Sequence, residues 1–296
     1  MAAHRLGKFF RRLFAPFRWL KRLLTIFGRG VSARFAAVRA FFTEDIEDTP
    51  FPETMAMVVK DPALLLPQLN DLRKHLFRAI FVMALTTVFS FTFARQILEL
   101  LAAPLGNGVA SMIAIDVTEP LATLMRIALL AGFALALPYI TLEVWIYFAW
   151  AFKPRTRLIG LLAIPLVVLF FVGGMAFAYY VMLPTAVPFL LSVMGITTQV
   201  RPTSYIGFVT GLMFWVGISF EFPLVIFLLA SLGVVKARPL LQSWRLAIVL
   251  IAVAAAVITP TVDPVSMGLV MAPLTVLYFL SIGLAAIAER QRRGAA

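Results

Sequence analysis

The sequence predicts an all-α fold, a polytopic membrane protein with six transmembrane helices and both termini cytoplasmic. Three observations carry this reading. The 296 residues are 62% hydrophobic, with a mean hydropathy of +0.97. The apolar residues gather into six stretches, at about 76–94, 127–150, 158–182, 208–231, 246–258 and 267–288, and about 20 apolar residues are enough to cross a bilayer as a helix. Finally, with both ends inside, only Arg95, Arg126 and Arg201 of the 26 Lys and Arg residues fall outside, as the concentration of basic residues in cytoplasmic loops requires.

Taken in order, the chain begins with a segment of another kind. Residues 1–42 carry ten Lys or Arg and no acid, while Phe10, Leu13, Phe17, Leu20, Leu24 and Phe27 recur at helical spacing. Such a segment lies on an anionic membrane surface as an amphipathic helix, here kinked at Pro16. An Arg-rich, acid-poor organellar targeting peptide is the competing reading. An acidic linker, "TEDIEDTP", comes next, so residues 1–60 form a surface segment, 61–290 the membrane domain and 291–296 a basic tail.

The first four apolar stretches are long enough to span. The fifth, Leu246–Ile258, has 13 residues and reaches only about 20 Å of a hydrocarbon core of about 30 Å. Polar "TPTVDPVS" then returns the chain into a sixth stretch interrupted by Pro273. Helices five and six are therefore expected to be short, and to thin the bilayer locally. The alternative is a fifth helix that begins earlier, at Leu240, with Trp244 and Arg245 snorkelling.

Composition narrows the chemistry. There is no Cys, which removes disulfides, thiol catalysis and Cys-ligated metals. The two histidines, His4 and His75, sit among basic residues in the sequence, so neither a metal site nor a His-based triad is expected. The net charge of +12 follows topology and is not a nucleic-acid footprint. No catalytic residue and no cofactor are expected.

An ionisable side chain at mid-membrane costs about 2.5–3.5 kcal/mol on insertion scales, so each one needs a reason. Glu143 lies in "TLEVWIYFAW" near the inner end of the second stretch, beside the aromatic residues Trp145, Tyr147 and Trp150. It either snorkels to the interface or serves function. Glu221 lies in "SFEFP" near the middle of the fourth, two residues before Pro223, and is expected to face a wet cavity or a partner. Ahead of the first stretch, Asp71 and Arg78 share a helical face seven residues apart, with Arg73 and Lys74 beside them.

These pieces resemble a known family, the C subunit of the twin-arginine protein translocase, TatC. "LNDLRKHL" resembles the family's HLxELRxRL motif, with Asp71 for the glutamate, Arg73 for the arginine and Leu76 for the last leucine. "AAPL" with Pro104, "IAIDVTEP", "VWIYFAWAF", "GMAFAYYVMLPTAVPFL", "SFEFP" and "ITPTVDP" with Asp263 are similar, in order, to later family segments, over about residues 62–288. The resemblance implies helices cupped about a hydrated concave face, with Glu221 on that face as an intramembrane coupling residue. It implies a signal-peptide-binding surface of Asp71, Arg73, Leu76, Glu143 and Tyr147, and structural or partner-contact roles for Pro104, Pro223 and Asp263. It also implies partners: single-span TatA/TatB-type subunits, folded precursors with twin-arginine signal peptides, membrane lipid, and further copies of the chain in a larger complex. Export would be driven by the proton-motive force across a prokaryotic cytoplasmic (inner) membrane.

The chain departs from the family pattern at several positions. "FKPRTRL" places Thr156 where a second glutamate is expected, Gln68 replaces the motif's histidine, His75 its second arginine, Met267 a glutamine and Phe279 a glutamate after Tyr278. If arginines are still read, Asp71 needs help from Glu143 or from the patch Glu44, Asp45, Glu47 and Asp48, and Glu143 is favoured. "FFRRLFAPF" has the order of a twin-arginine signal, but Arg18, Lys21 and Arg22 break the apolar run that should come next. The alternative from another class is a proton-coupled small-solute transporter using Glu143 and Glu221. Such folds show inverted repeats, and none is evident between the first and last three stretches. A membrane-bound lipid enzyme would need His, Cys or clustered acids that this sequence lacks.

Overall fold

The computed structural model describes residues 65–106, 108–148, 154–192, 199–259 and 264–294. The expected N-terminal surface helix, the acidic patch and Asp263 lie outside the described residues, as does the Thr156 side chain. By internal contacts the chain divides into residues 1–60 with 153–159, and residues 61–152 with 160–296. In the first unit only the opening of one helix is described, and the second holds the membrane-spanning segments.

This second unit is helical, with one isolated bridge between Met112 and Val200 as the only strand-like pairing among the described residues. In chain order the described α-helices are α1 (Leu65–Phe91), α2 (Ala94–Ala102), α3 (Glu119–Phe148), α4 (Pro154–Phe177), α5 (Leu183–Ser192), α6 (Pro202–Leu232), α7 (Ala237–Gln242), α8 (Trp244–Ile258) and α9 (Pro264–Gly294). A π-helical turn, Ala178–Met182, joins α4 to α5 without a break. Among the described residues, five segments are long and apolar enough to cross a membrane: Asn70–Phe91, Glu119–Tyr147, Ala163–Leu191, Pro202–Ser231 and Pro264–Gln291.

The fifth helix is short, as expected. α8 has 15 residues, or about 22 Å. It does not reach back to Leu240, because the backbone turns at Ser243 (φ −90°, ψ 13°) and Leu240 belongs to the separate α7. The sixth helix corrects the expectation: α9 runs for 31 residues straight through Pro273. Proline removes one N–H from a helix, and a membrane helix tolerates this where neighbours and local adjustment satisfy the freed carbonyl. The polar residues after the apolar stretch also extend α9, through "ERQRRG", instead of ending it.

Helix ends obey local rules. Pro202 occupies the first position of α6 after an extended Arg201, where a missing N–H costs nothing. Gly233 ends the helix in the left-handed region (φ 79°). Its N–H reaches the Ala230 carbonyl while that of Val234 returns to Leu229, closing the turn as a glycine terminator does.

Packing uses small residues, since lipid supplies no hydrophobic drive between helices. α1 lies so close to α3 that a Cβ on Gly132 would stand 2.6 Å from the Thr87 Cα. At the same place Thr86 Oγ1 donates across to the Gly132 carbonyl at 2.8 Å. α4 and α6 meet where a Cβ on Gly174 would come 2.9 Å from the Gly217 Cα. Phe133, Phe171 and Phe214 fill the space beside this crossing, with ring centroids 5.4 Å and 5.1 Å from Phe133. The main core runs through Ile127, Met182, Leu183, Ile206, Val209 and Val216.

Candidate functional site: the ends of the bundle and the groove at Glu221

At the end of the bundle formed by the start of α1 and the end of α3, the three-residue spacing of His75 and Arg78 places one face of α1 against Glu143. The Glu143 side chain is 5% exposed. Tyr139, one turn earlier, donates its hydroxyl to Oε1 at 2.6 Å. His75 Nδ1 lies 2.5 Å from Oε2, and Arg78 Nη1 approaches both oxygens at 3.4 Å and 3.5 Å. Tyr147 packs edge-on to the His75 ring at 6.0 Å. His75 therefore has a carboxylate partner after all, which corrects the sequence reading. The partner stands 68 residues away, where no local pattern signals it.

Asp71 is in a different state. Its side chain is 61% exposed, and its ion-pair partner among the described residues is Lys74, three residues on, at 2.9 Å. Leu76 is exposed, and the Arg73 guanidinium lies 5.4 Å from the Phe77 ring. The structure thus brings Glu143, Tyr147 and the His75–Arg78 face together, and leaves Asp71, Arg73 and Leu76 facing outward on the same end of α1.

At the opposite end, two loops are sewn together by residues that sequence reasoning passed over. Glu119, buried at the start of α3, takes hydrogen bonds from Arg201 Nε at 2.9 Å, from Arg201 Nη2 and from the Ile115 N–H at 3.2 Å. Arg126 donates to the Thr203 carbonyl at 3.0 Å. In the loop, the Thr118 N–H and then its hydroxyl hold the Asp116 carboxyl below its usual pKa.

Pro104 belongs to this end and explains two tyrosines. Lacking an N–H, it cannot donate to Leu100, and the chain tightens to a 3₁₀ turn at Ala103–Leu105. The Leu100 carbonyl receives the Tyr179 hydroxyl at 2.8 Å, and the Leu101 carbonyl receives that of Tyr205 at 2.9 Å. Helix termini leave such carbonyls short of intrahelical donors: Leu100 keeps the Ala103 N–H, and the π-turn and α6 supply the rest.

Glu221 projects into a groove of about 780 Å³ between α6, α8 and α9. α6 packs extensively on α9 but hardly meets α8, and the gap between them is the groove. Its walls are apolar apart from Ser219, Glu221, Ser243 and Tyr278. Glu221 Oε1 is buried without a hydrogen-bond partner. The sequence predicts a wet cavity or a partner at Glu221, and the lining of this groove is far less polar than a wet site would have. Pro223 is fully buried in the same turn. Glu143 and Glu221 have separate surroundings, so no coupled carboxylate pair of the kind a transporter reading needs is assembled.

Comparison with known proteins agrees. The family model of Sec-independent protein translocase protein (TatC) matches residues 67–273. The TatC protein of Deinococcus radiodurans is 34% identical over 250 residues, 80% of this chain and 93% of that one. The TatC protein of Escherichia coli K12 is 32% identical over 232 residues, 76% of this chain and 89% of that one. A crystal structure described as the twin-arginine translocase receptor TatC superposes with a TM-score of 0.66 at 32% identity, covering 75% of this chain and 99% of the other. A second, in the detergent DDM, gives 0.67 at 31% identity, covering 74% and 99%. These matches support a translocase subunit in the cytoplasmic membrane and not a solute transporter. The chain belongs to the TatC family of Sec-independent protein translocase proteins.

Proposed function

We propose that this chain is the signal-reading subunit of its translocase, and that Asp71 is the first acceptor for the paired arginines of a precursor's signal peptide. The observation that supports this is the contrast between two carboxylates at one end of the bundle. A guanidinium pair is read best by charge-assisted hydrogen bonds to carboxylate. Asp71 is exposed and, among the described residues, held by one exposed lysine partner, whereas both Glu143 oxygens are already engaged by Tyr139, His75 and Arg78. Glu143 therefore acts behind Asp71, and takes a signal arginine only when His75 or Arg78 lets go. Arg73 and Leu76 shape the outward surface, and Tyr147 steadies His75.

Glu221 is the coupling residue of this reading. Its side chain lines the groove, where a polar side chain of a TatA/TatB-type single-span subunit reaches the carboxylate on entering, and proton-motive-force-driven transport of folded precursors depends on that assembly. Binding of a fluorescent twin-arginine signal peptide to the full chain in nanodiscs tests the first step. Asp71→Asn is expected to weaken binding about 10-fold or more, the value of a charge-assisted hydrogen bond, and Lys74→Ala to strengthen it. Unchanged binding in Asp71→Asn overturns the assignment.

A further inference from the structure

The groove at Glu221 is continuous with a second, smaller hollow, and together they have the form of a lipid. The large groove runs along α8 from Leu246 to Ile258, about 18 Å of helix, which is slightly more than one leaflet of a hydrocarbon core of about 30 Å. It is open at the side, where Val225, Leu250 and Val257 are exposed. The second hollow, of about 310 Å³, shares Leu240 and Ser243 with the first and adds Lys236. The end of the groove is thus basic: Lys236 lies in the hollow, Arg238 is on α7, and Arg245 rests 5.5 Å from the Trp244 ring at the start of α8. The opposing carboxylate there, Glu289, is turned to the Ala237 N–H at 2.6 Å.

We propose that an anionic phospholipid occupies this place while no partner subunit does, its phosphate against Lys236 and the Ser243 hydroxyl and one acyl chain along α8 toward Glu221. The chemistry on each side selects it. Apolar walls of leaflet length match an acyl chain, and a cluster of cations at the end where loop meets span matches a negative headgroup, as basic segments beside membrane spans do. A zwitterionic lipid would fill the groove equally well but gains nothing from the cations. The proposal stands apart from the role of Asp71, which lies on α1.

The test is photolabelling of the full chain in phosphatidylcholine nanodiscs containing a trace of phosphatidylglycerol or phosphatidylcholine with a diazirine on the acyl chain, read by peptide mass spectrometry. Phosphatidylglycerol is expected to label α6, α8 and α9 around Val225, Leu250 and Leu274 about fivefold more than phosphatidylcholine, the preference of one basic group near a membrane surface. Lys236→Glu, at an exposed position, should remove that preference while leaving the melting temperature unchanged. Equal labelling by the two lipids, labelling spread over all helices, or a preference untouched by Lys236→Glu overturns the proposal.

Discussion

His75 Nδ1 lies 2.5 Å from Glu143 Oε2, and this contact joins the first two membrane helices at the end that presents Asp71. Glu143 is buried, so removing either partner leaves a polar group short of a hydrogen bond, at a cost of about 1–3 kcal/mol. His75→Ala and Glu143→Ala should each lower stability by this amount. The double variant should lose at least about 1 kcal/mol less than the sum, the sign of a direct interaction. Chemical unfolding in detergent micelles measures the cycle, and strict additivity would mean that the contact is not formed.

Tyr205→Phe should cost about 1–3 kcal/mol, because it strands the buried Leu101 carbonyl in a site closed to water. Tyr179→Phe should cost less. The Leu100 carbonyl keeps a second donor, the Ala103 N–H, and the Tyr179 hydroxyl contact is exposed. A thermal-shift series on the two variants compares them, and equal losses would remove the special place given to Pro104.

Arg201→Ala leaves Glu119 buried with only the Ile115 N–H. A fully buried pair costs about 3–5 kcal/mol to break. Arg201 is half exposed, so about 2 kcal/mol is expected here. The charge swap Glu119→Arg with Arg201→Glu should recover only part of the loss, because the Ile115 N–H needs an acceptor. Protease sensitivity of the loops at 103–118 and 199–201 reads the local effect alongside global stability.

Hydropathy made the apolar stretches legible, because each span is a run of neighbours in the sequence. The seven-residue spacing of Asp71 and Arg78 was legible for the same reason. What stayed hidden depends on partners far apart in the chain: His75 with Glu143 across 68 residues, Arg201 with Glu119 across 82. The length of α9 was misjudged because Pro273 reads locally as a break. In an apolar surrounding, a helix that loses one hydrogen bond is still better than an open backbone. The groove too is invisible to periodicity, since it comes from the failure of α6 and α8 to meet.

Gly174→Leu should destabilise by about 1–3 kcal/mol through overpacking, since an added Cβ already meets the Gly217 Cα and the Phe220 ring. Gly173→Leu, one residue away with nothing near its would-be Cβ, is the control. If both variants melt alike, the close crossing of α4 and α6 is not what holds them.

Glu221 gives the sharpest separation of stability from function. Of its two carboxylate oxygens, Oε1 has no hydrogen-bond partner among the described residues, and a buried polar atom left unpaired costs folding free energy. The surrounding walls are apolar, so Glu221→Leu should leave the melting temperature unchanged or raise it. Export of a twin-arginine reporter in cells should nevertheless fall sharply, because leucine offers no acceptor to a partner subunit. Glu221→Gln keeps an acceptor oxygen without the charge and should retain more export than the leucine variant. Removing strain at a site kept for activity commonly trades function for stability. A leucine variant that melts several degrees lower would show that the carboxylate has a partner within the fold, and its role in coupling would have to be given up.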